Sequence, residues 1–135
     1  MIDKLDPTFR FYQDAANLRG HRQQLIASNI ANADTPKYKA RDIDFRDALQ
    51  GAMAGNGANT AVRLATSAPN HIPSPTGAVA GAPVLYRNAV QGSVDGNTVD
   101  MDVERSQFAD NAIHYEANLT FISDQIRMMR TAIQG

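Results

Sequence analysis

The three histidines of this 135-residue chain, His21, His71 and His114, are the first residues to test for chemistry, and their spacing disqualifies them as a set. None stands four places from another with a Glu between them, the arrangement that puts two imidazoles on one helix face around zinc. Asp100, Asp102 and Glu104 alternate and carry charge enough for a cation. They sit where a long helical pattern begins, however, and acids there cap free N–H groups and favour the helix dipole. They also lack the order of acids and glycine of a calcium loop. Gly51–Gly57 is glycine-rich but is not followed by the Lys and Ser or Thr of a phosphate loop. No Ser has the flanking glycines of a nucleophile elbow. Cysteine is absent, which excludes disulfides, thiolate nucleophiles and thiolate metal sites. Asn118-Leu119-Thr120 matches a glycosylation sequon but falls inside a helical pattern. Neither an enzyme nor a cofactor is expected.

Composition narrows the class further. Lys and Arg number 13 against 14 Asp and Glu, a net charge of -1, which argues against nucleic acid as a partner. Apolar residues make up 43%, but much of that is Ala and only 7% is aromatic, so a compact core would be small. No stretch approaches the roughly 18 apolar residues of a membrane span. Met1–Asp6 lacks the apolar centre of a cleaved secretion signal.

The elements that carry these residues fall into three zones: 1–33, 34–99 and 100–135. In the first, Asp6-Pro7 reads as a helix start, an N-cap followed by Pro at the first helical position. One stripe runs Phe11, Ala15, Leu18, Arg22, Leu25, Asn29, and a second runs Leu5, Phe9, Tyr12, Ala16, Arg19, Gln23, Ile26, Ile30. In the middle zone, Asp44 should cap one or two helical turns with Phe45 facing Leu49. A flexible stretch is expected near 51–61, extended chain at Pro69–Pro75, a short strand at Val84–Arg87 and a hairpin-type turn at Asp95-Gly96. The third zone has no Gly or Pro from Asp102 to Gln134. There Phe108, Ala112, Tyr115, Leu119, Ile122, Ile126, Met129 and Ile133 alternate in steps of four and three, a heptad seam.

A helix of that length, roughly 50 Å at 1.5 Å per residue, must pair lengthwise. The expected fold is mainly α: long N- and C-terminal helices paired as an antiparallel coiled coil, joined by a loop-rich middle with short extended segments. Phe121 and Met128 lie off the seam, and the first helix has two stripes for one internal partner. Copies or relatives of the chain would cover the surplus, with Arg22, Asn29 and Arg105 fixing register. A middle segment folded back over Phe121 and Met128 is the alternative.

Ala27-Ser28-Asn29-Ile30-Ala31-Asn32-Ala33-Asp34-Thr35-Pro36-Lys37-Tyr38 resembles the N-terminal signature of bacterial flagellar rod and hook proteins, a helix ending in Asn-x-Ala-Asn and a Thr-Pro-Gly-Tyr-like turn. Lys39–Phe45, and Asp95–Glu104 leading to Asn111 and Tyr115, are similar to the basal-body rod branch of that family. The likeness spans nearly everything outside about 51–61. Lys37 stands where the family usually has Gly. A type II turn would put it at positive φ, so a type I turn is expected over Thr35–Tyr38.

The resemblance implies a structural subunit of the proximal rod, located in the basal body and periplasm. Its partners would be further copies, other rod proteins, the junction of inner-membrane ring and export gate, and the flagellar type III export apparatus. Export without a cleaved signal would follow. The implied assembly interface comprises Phe11, Leu18, Leu25, Asn29, Ile30 and Asn32 on the first helix. On the last helix it comprises Phe108, Tyr115, Leu119, Phe121, Ile122, Ile126, Met128, Met129 and Ile133. Phe45 and Leu49 resemble the Phe-x-x-x-apolar element of export recognition, although a Phe and a Leu one turn apart are also ordinary packing. A soluble helical adaptor or chaperone of export remains the alternative function.

Overall fold

A computed structural model describes residues 5–54, 82–88 and 93–134 of the chain. The elements are α1 (Leu5–Ala31), β1 (Arg41–Asp42), α2 (Phe45–Met53), β2 (Leu85–Tyr86) and α3 (Met101–Gln134). The extended run expected at Pro69–Pro75 and most of the flexible stretch near 51–61 lie outside the described residues.

Alpha1 is already helical at Leu5, so Asp6 is inside it and is not its N-cap. Pro7 is tolerated because its missing N–H belongs to the first turn, where no intrahelical acceptor exists. Asp44 does cap α2, its carboxylate accepting from Arg46 N at 3.0 Å and Asp47 N at 3.2 Å. That helix continues through Gly51 to Met53, past the one or two turns expected. Asp100 opens α3 in the same way, accepting from Asp102 N and Val103 N at 3.0 and 3.3 Å. The strand expected at Val84–Arg87 appears as β2, antiparallel to β1 with Arg41 opposite Tyr86 and Asp42 opposite Leu85.

Both stripes of α1 find partners inside the chain, which corrects the expectation of one internal partner for two stripes. Leu18 and Leu25 pack with Ile43, Ala48 and Ala82, and Phe45, Leu49 and Val84 close over them. The other stripe lies against α3. The α1–α3 contacts run in opposite senses: Tyr12 and Arg19 of this stripe meet Asn118 and Asn111, and Asn29 of the first stripe meets Glu104.

The buried face of α3 is not the apolar seam read from the sequence. It is the row Glu104, Asn111, Asn118, spaced by sevens, of which the first two have no exposed surface. Only Phe108, Tyr115, Ile122 and Met129 belong to both arrangements, the last two half-buried and the first two 38% exposed; Leu119 and Ile126 are somewhat more exposed and Ile133 is largely open. Hydrogen bonds from the polar row to α1, absent from any reading of apolar spacing, decide the difference.

The turn at Thr35–Tyr38 also departs from expectation. Tyr38 N donates to Thr35 O at 3.3 Å, and Lys37 takes φ +61°, so this is the left-handed turn that the absence of Gly argued against. Tertiary contacts hold it there. Lys37 N donates to Asp95 O at 3.0 Å, and Gly96, itself at φ +76°, lies against the Lys37 backbone. A turn over Ser93–Gly96 is closed by Gly96 N to Ser93 O at 3.0 Å, and no strand adjoins it among the described residues. It serves as a dock for the first turn.

Candidate assembly interface

The two segments that carried the resemblance, one from each end of the chain, meet in space. Asn97, buried, directs its amide nitrogen at Asn32 O, Ala33 O and Thr35 O at 3.0, 2.7 and 2.9 Å, pinning the carbonyls of the turn that follows α1. Its own carbonyl oxygen accepts from Val99 N at 2.8 Å. Thr98 N donates to Tyr38 O, Thr98 Oγ1 accepts from Ala40 N, and Lys39 Nζ donates to Gly96 O. This clasp sets where α3 leaves the chain reversal.

Next to the clasp is an ionic joint that sequence reasoning missed. Arg22 grips Asp42 with two bonds of 2.9 and 3.0 Å. Arg87, delivered by β2, donates to Asp42 at 2.6 Å, to Glu104 at 2.6 Å and to Gln107 at 2.7 Å. Asn29 donates to Glu104 at 3.2 Å and to Arg41 O at 2.8 Å, while Arg41 N returns a bond to its side-chain oxygen at 3.0 Å. Two cations and two anions balance. Burial pushes Asp42 up, but the Arg22 hydrogen bond and charge, with Arg87, outweigh it and hold the carboxyl below its ordinary range. Arg22 is raised, first by the Asp42 hydrogen bond. Chemically the joint is inert: every charge is engaged in tying α1, β1, β2 and α3 together. Glu104, which the sequence assigned to the helix dipole, is its buried anion. The clue available was its seven-residue spacing from Asn111 and Asn118.

Arg19 spans the α2 side of α1. Its guanidinium lies 3.8 Å over the Phe45 ring, a cation–π contact, and burial lowers its pKa. Between α1, α2 and α3 an open cleft of about 210 Å³ is walled by Phe11, Tyr12, Leu49 and Phe121. Phe121 leans on Tyr12, ring centres 6.2 Å apart, and is still 58% exposed. Phe45 and Leu49 share a face of α2 and pack on the small core.

The structure divides the expected interface residues into two groups. Leu18, Leu25 and Asn29 are buried among partners of their own chain, and Asn32 is engaged with Ser28 O and Thr35. Phe11 and Ile30 are half-buried. On α3, Leu119 and Ile126 are 43% and 44% exposed and Ile133 is 85% exposed, with Met128, Phe121 and Ile113 beside them. The pairing of Tyr12 with Asn118 and Arg19 with Asn111 carries Leu5 level with about residue 125. The last turns of α3, roughly 14 Å of helix, therefore project past the first described residue of α1. No described helix is long and apolar enough to cross a membrane.

Comparison with known proteins gives this geometry a context. A family model described as "Flagella basal body rod protein" matches residues 9–39, most of α1 and the turn after it. The chain is 49% identical over 136 residues to the flagellar basal body rod protein FlgB of Escherichia coli K12, covering 100% of this chain and 99% of that one. It is 48% identical over 135 residues to FlgB of Proteus mirabilis HI4320, covering 99% and 98%. With FlgB of Salmonella typhimurium LT2 the identity is 47% over 136 residues, covering 100% and 99%.

Proposed function

We propose, from the premise that this chain belongs to the flagellar basal body rod protein FlgB family, that the outward apolar face of α3 is the surface through which it builds the rod. The protein is a structural subunit of the flagellar basal body rod, serves motility and is not an enzyme. Within that function, α1 and α3 act as an antiparallel coiled coil, and β1, α2 and β2 form a clamp on its side. Leu119, Phe121, Ile126, Met128 and Ile133 meet copies of the chain or other rod proteins. Head-to-tail contacts that do not close generate a helical tube. Long helices along such a tube make it stiff enough to carry motor torque. The first subunits would rest on the junction of inner-membrane ring and export gate, in the periplasm, after type III export without a cleaved signal. Phe45 and Leu49 are the candidate export element, reached before α2 settles on the core.

The single observation behind this reading is the apolar row of α3 left in water. Burying one large apolar side chain is worth roughly 1.5–3 kcal/mol, so several in a row favour a partner strongly. Leu119→Asp with Ile126→Asp tests it, since both side chains are half-exposed in the lone subunit. The variant is expected to fold and be exported, yet be absent from detergent-extracted basal bodies, with motility lost. Normal motility would refute the proposal. Wild-type protein found only in the cytosol would favour the adaptor reading.

A further inference from the structure

Alpha3 carries two overlapping rows that could face α1. One adds Glu104, Asn111, Asn118 and Gln125 to the shared positions Phe108, Tyr115 and Ile122; the other adds Ala112 and Leu119, and continues past the first described residue of α1 as Ile126 and Ile133. Turning α3 by roughly half of one residue's 100° step exchanges them. The second row is the more apolar, so hydrophobic burial alone would roll it inward and hide it. The structure has the first row inward. Asn111 has no exposed surface, and its amide donates to Arg19 O at 2.9 Å and Gln23 Oε1 at 2.6 Å. Asn118, one heptad on, donates to Tyr12 O at 3.0 Å. Both main-chain acceptors lie within the α1 helix, and a carbonyl with two lone pairs takes such a bond without giving up its helical one.

We infer that Asn111 and Asn118 are positioning residues: by bonding the α1 backbone they hold α3 at the roll that keeps Leu119 outside, in line with Ile126 and Ile133 beyond the first described residue of α1, and available to another subunit. Tyr12 and Arg19 share the seven-residue spacing of the two asparagines, so these bonds set the roll but tolerate a slip of one heptad. Glu104, fixed by Asn29 and Arg87, forbids that slip. Roll and register are thus set by different side chains. The buried polar row gives up stability in the lone subunit and keeps the assembly face from burying itself. The inference rests on the proposed assembly role of that face, but its test does not.

The chain contains no cysteine, so single cysteines report the roll by their rate of reaction with a maleimide. In otherwise unchanged protein, Leu119→Cys should react quickly and Asn118→Cys, with Asn111 still in place, slowly. Adding Asn111→Ala and Asn118→Ala to Leu119→Cys should slow its reaction severalfold. Adding Asn111→Ala to Asn118→Cys should speed that reaction by a comparable factor. Opposite movement of the two rates is the signature of a roll. Both cysteines speeding up together would mean general loosening, and neither changing would mean the asparagines do not set the roll; either result overturns the inference. The measurement is made on the isolated chain, so it stands or falls independently of whether Leu119→Asp with Ile126→Asp blocks rod building.

Discussion

Arg87→Met is the perturbation that most directly tests the ionic joint. In the native structure the Glu104 side chain is 1% exposed and that of Arg87 21%, so solvent cannot replace a lost partner. Removing the guanidinium leaves Asp42 with both Arg22 bonds and the Ile43 N bond, at 2.8 Å, so that carboxylate stays compensated. Glu104 keeps only the 3.2 Å bond from Asn29 among its side-chain partners. The loss therefore falls on one stranded buried charge. Breaking such a pair costs about 3–5 kcal/mol. In a domain of this size each kcal/mol moves the thermal midpoint by about 3–4 °C, so the midpoint should fall by about 9–20 °C. Far-UV circular dichroism on heating reads this directly. The companion variant Arg87→Met with Glu104→Gln removes the stranded charge and keeps an acceptor for Asn29, and should recover most of the loss. A cost below about 1 kcal/mol for Arg87→Met, or no recovery in the double variant, would refute the account of Glu104 as a buried anion dependent on Arg87.

Three further outcomes follow from the same structure. Lys37→Gly should stabilise the chain by about 0.5–1 kcal/mol in urea titration, because it relieves a side chain held at φ +61°. Asn97→Asp should destabilise more than Asn97→Ala at neutral pH: the isosteric carboxylate would face three carbonyl oxygens, whereas Ala only removes the amide bonds, at about 1–3 kcal/mol, with Thr35 N still on Asn32 O and Tyr38 N still on Thr35 O. His21 is buried with neither ring nitrogen hydrogen-bonded among the described residues, and burial lowers its pKa. The unfolded chain therefore binds the proton first, and stability should fall as pH drops below about 6.5, a dependence that His21→Leu flattens. Asp42, whose pKa is also lowered, loses its contribution only at more acid pH, below the ordinary carboxylate range, so the two windows separate.

Family, helices and the caps of α2 and α3 were legible because they depend on local chemistry, whereas the cap expected at Asp6 was not found. Asp44 and Asp100 accept from N–H groups two and three residues on, so their role needs no knowledge of the rest of the chain. The segments Ala27–Tyr38 and Asp95–Glu104 could be recognised as strings, although nothing in either string says that Asn97 closes the end of α1. The inward face of α3 was not legible. Apolar periodicity ranks faces by the free energy of leaving water, and by that measure Leu119 and Ile126 outrank Asn111 and Asn118. An amide becomes the better buried group only when a carbonyl stands about 3 Å from it, and that carbonyl is supplied by a residue 92 or 106 positions away. Lys37 illustrates the same limit: backbone preference predicts the cheaper turn, and the Asp95–Gly96 dock overrules it.

From the order of its residues alone, this protein is a pair of long helices with surplus apolar surface and no chemistry to perform, because periodicity, capping and the lack of reactive clusters are properties of neighbouring positions. Folding in three dimensions decided which surface is surplus. Arg22 of α1, Asp42 of β1, Arg87 just after β2 and Glu104 of α3 converge to fix the register of α3, while Asn111 and Asn118, bonded to the α1 backbone, set which of its faces turns inward. Charges and amides act over a few ångströms of space, and the chain brings those partners together only once it has folded.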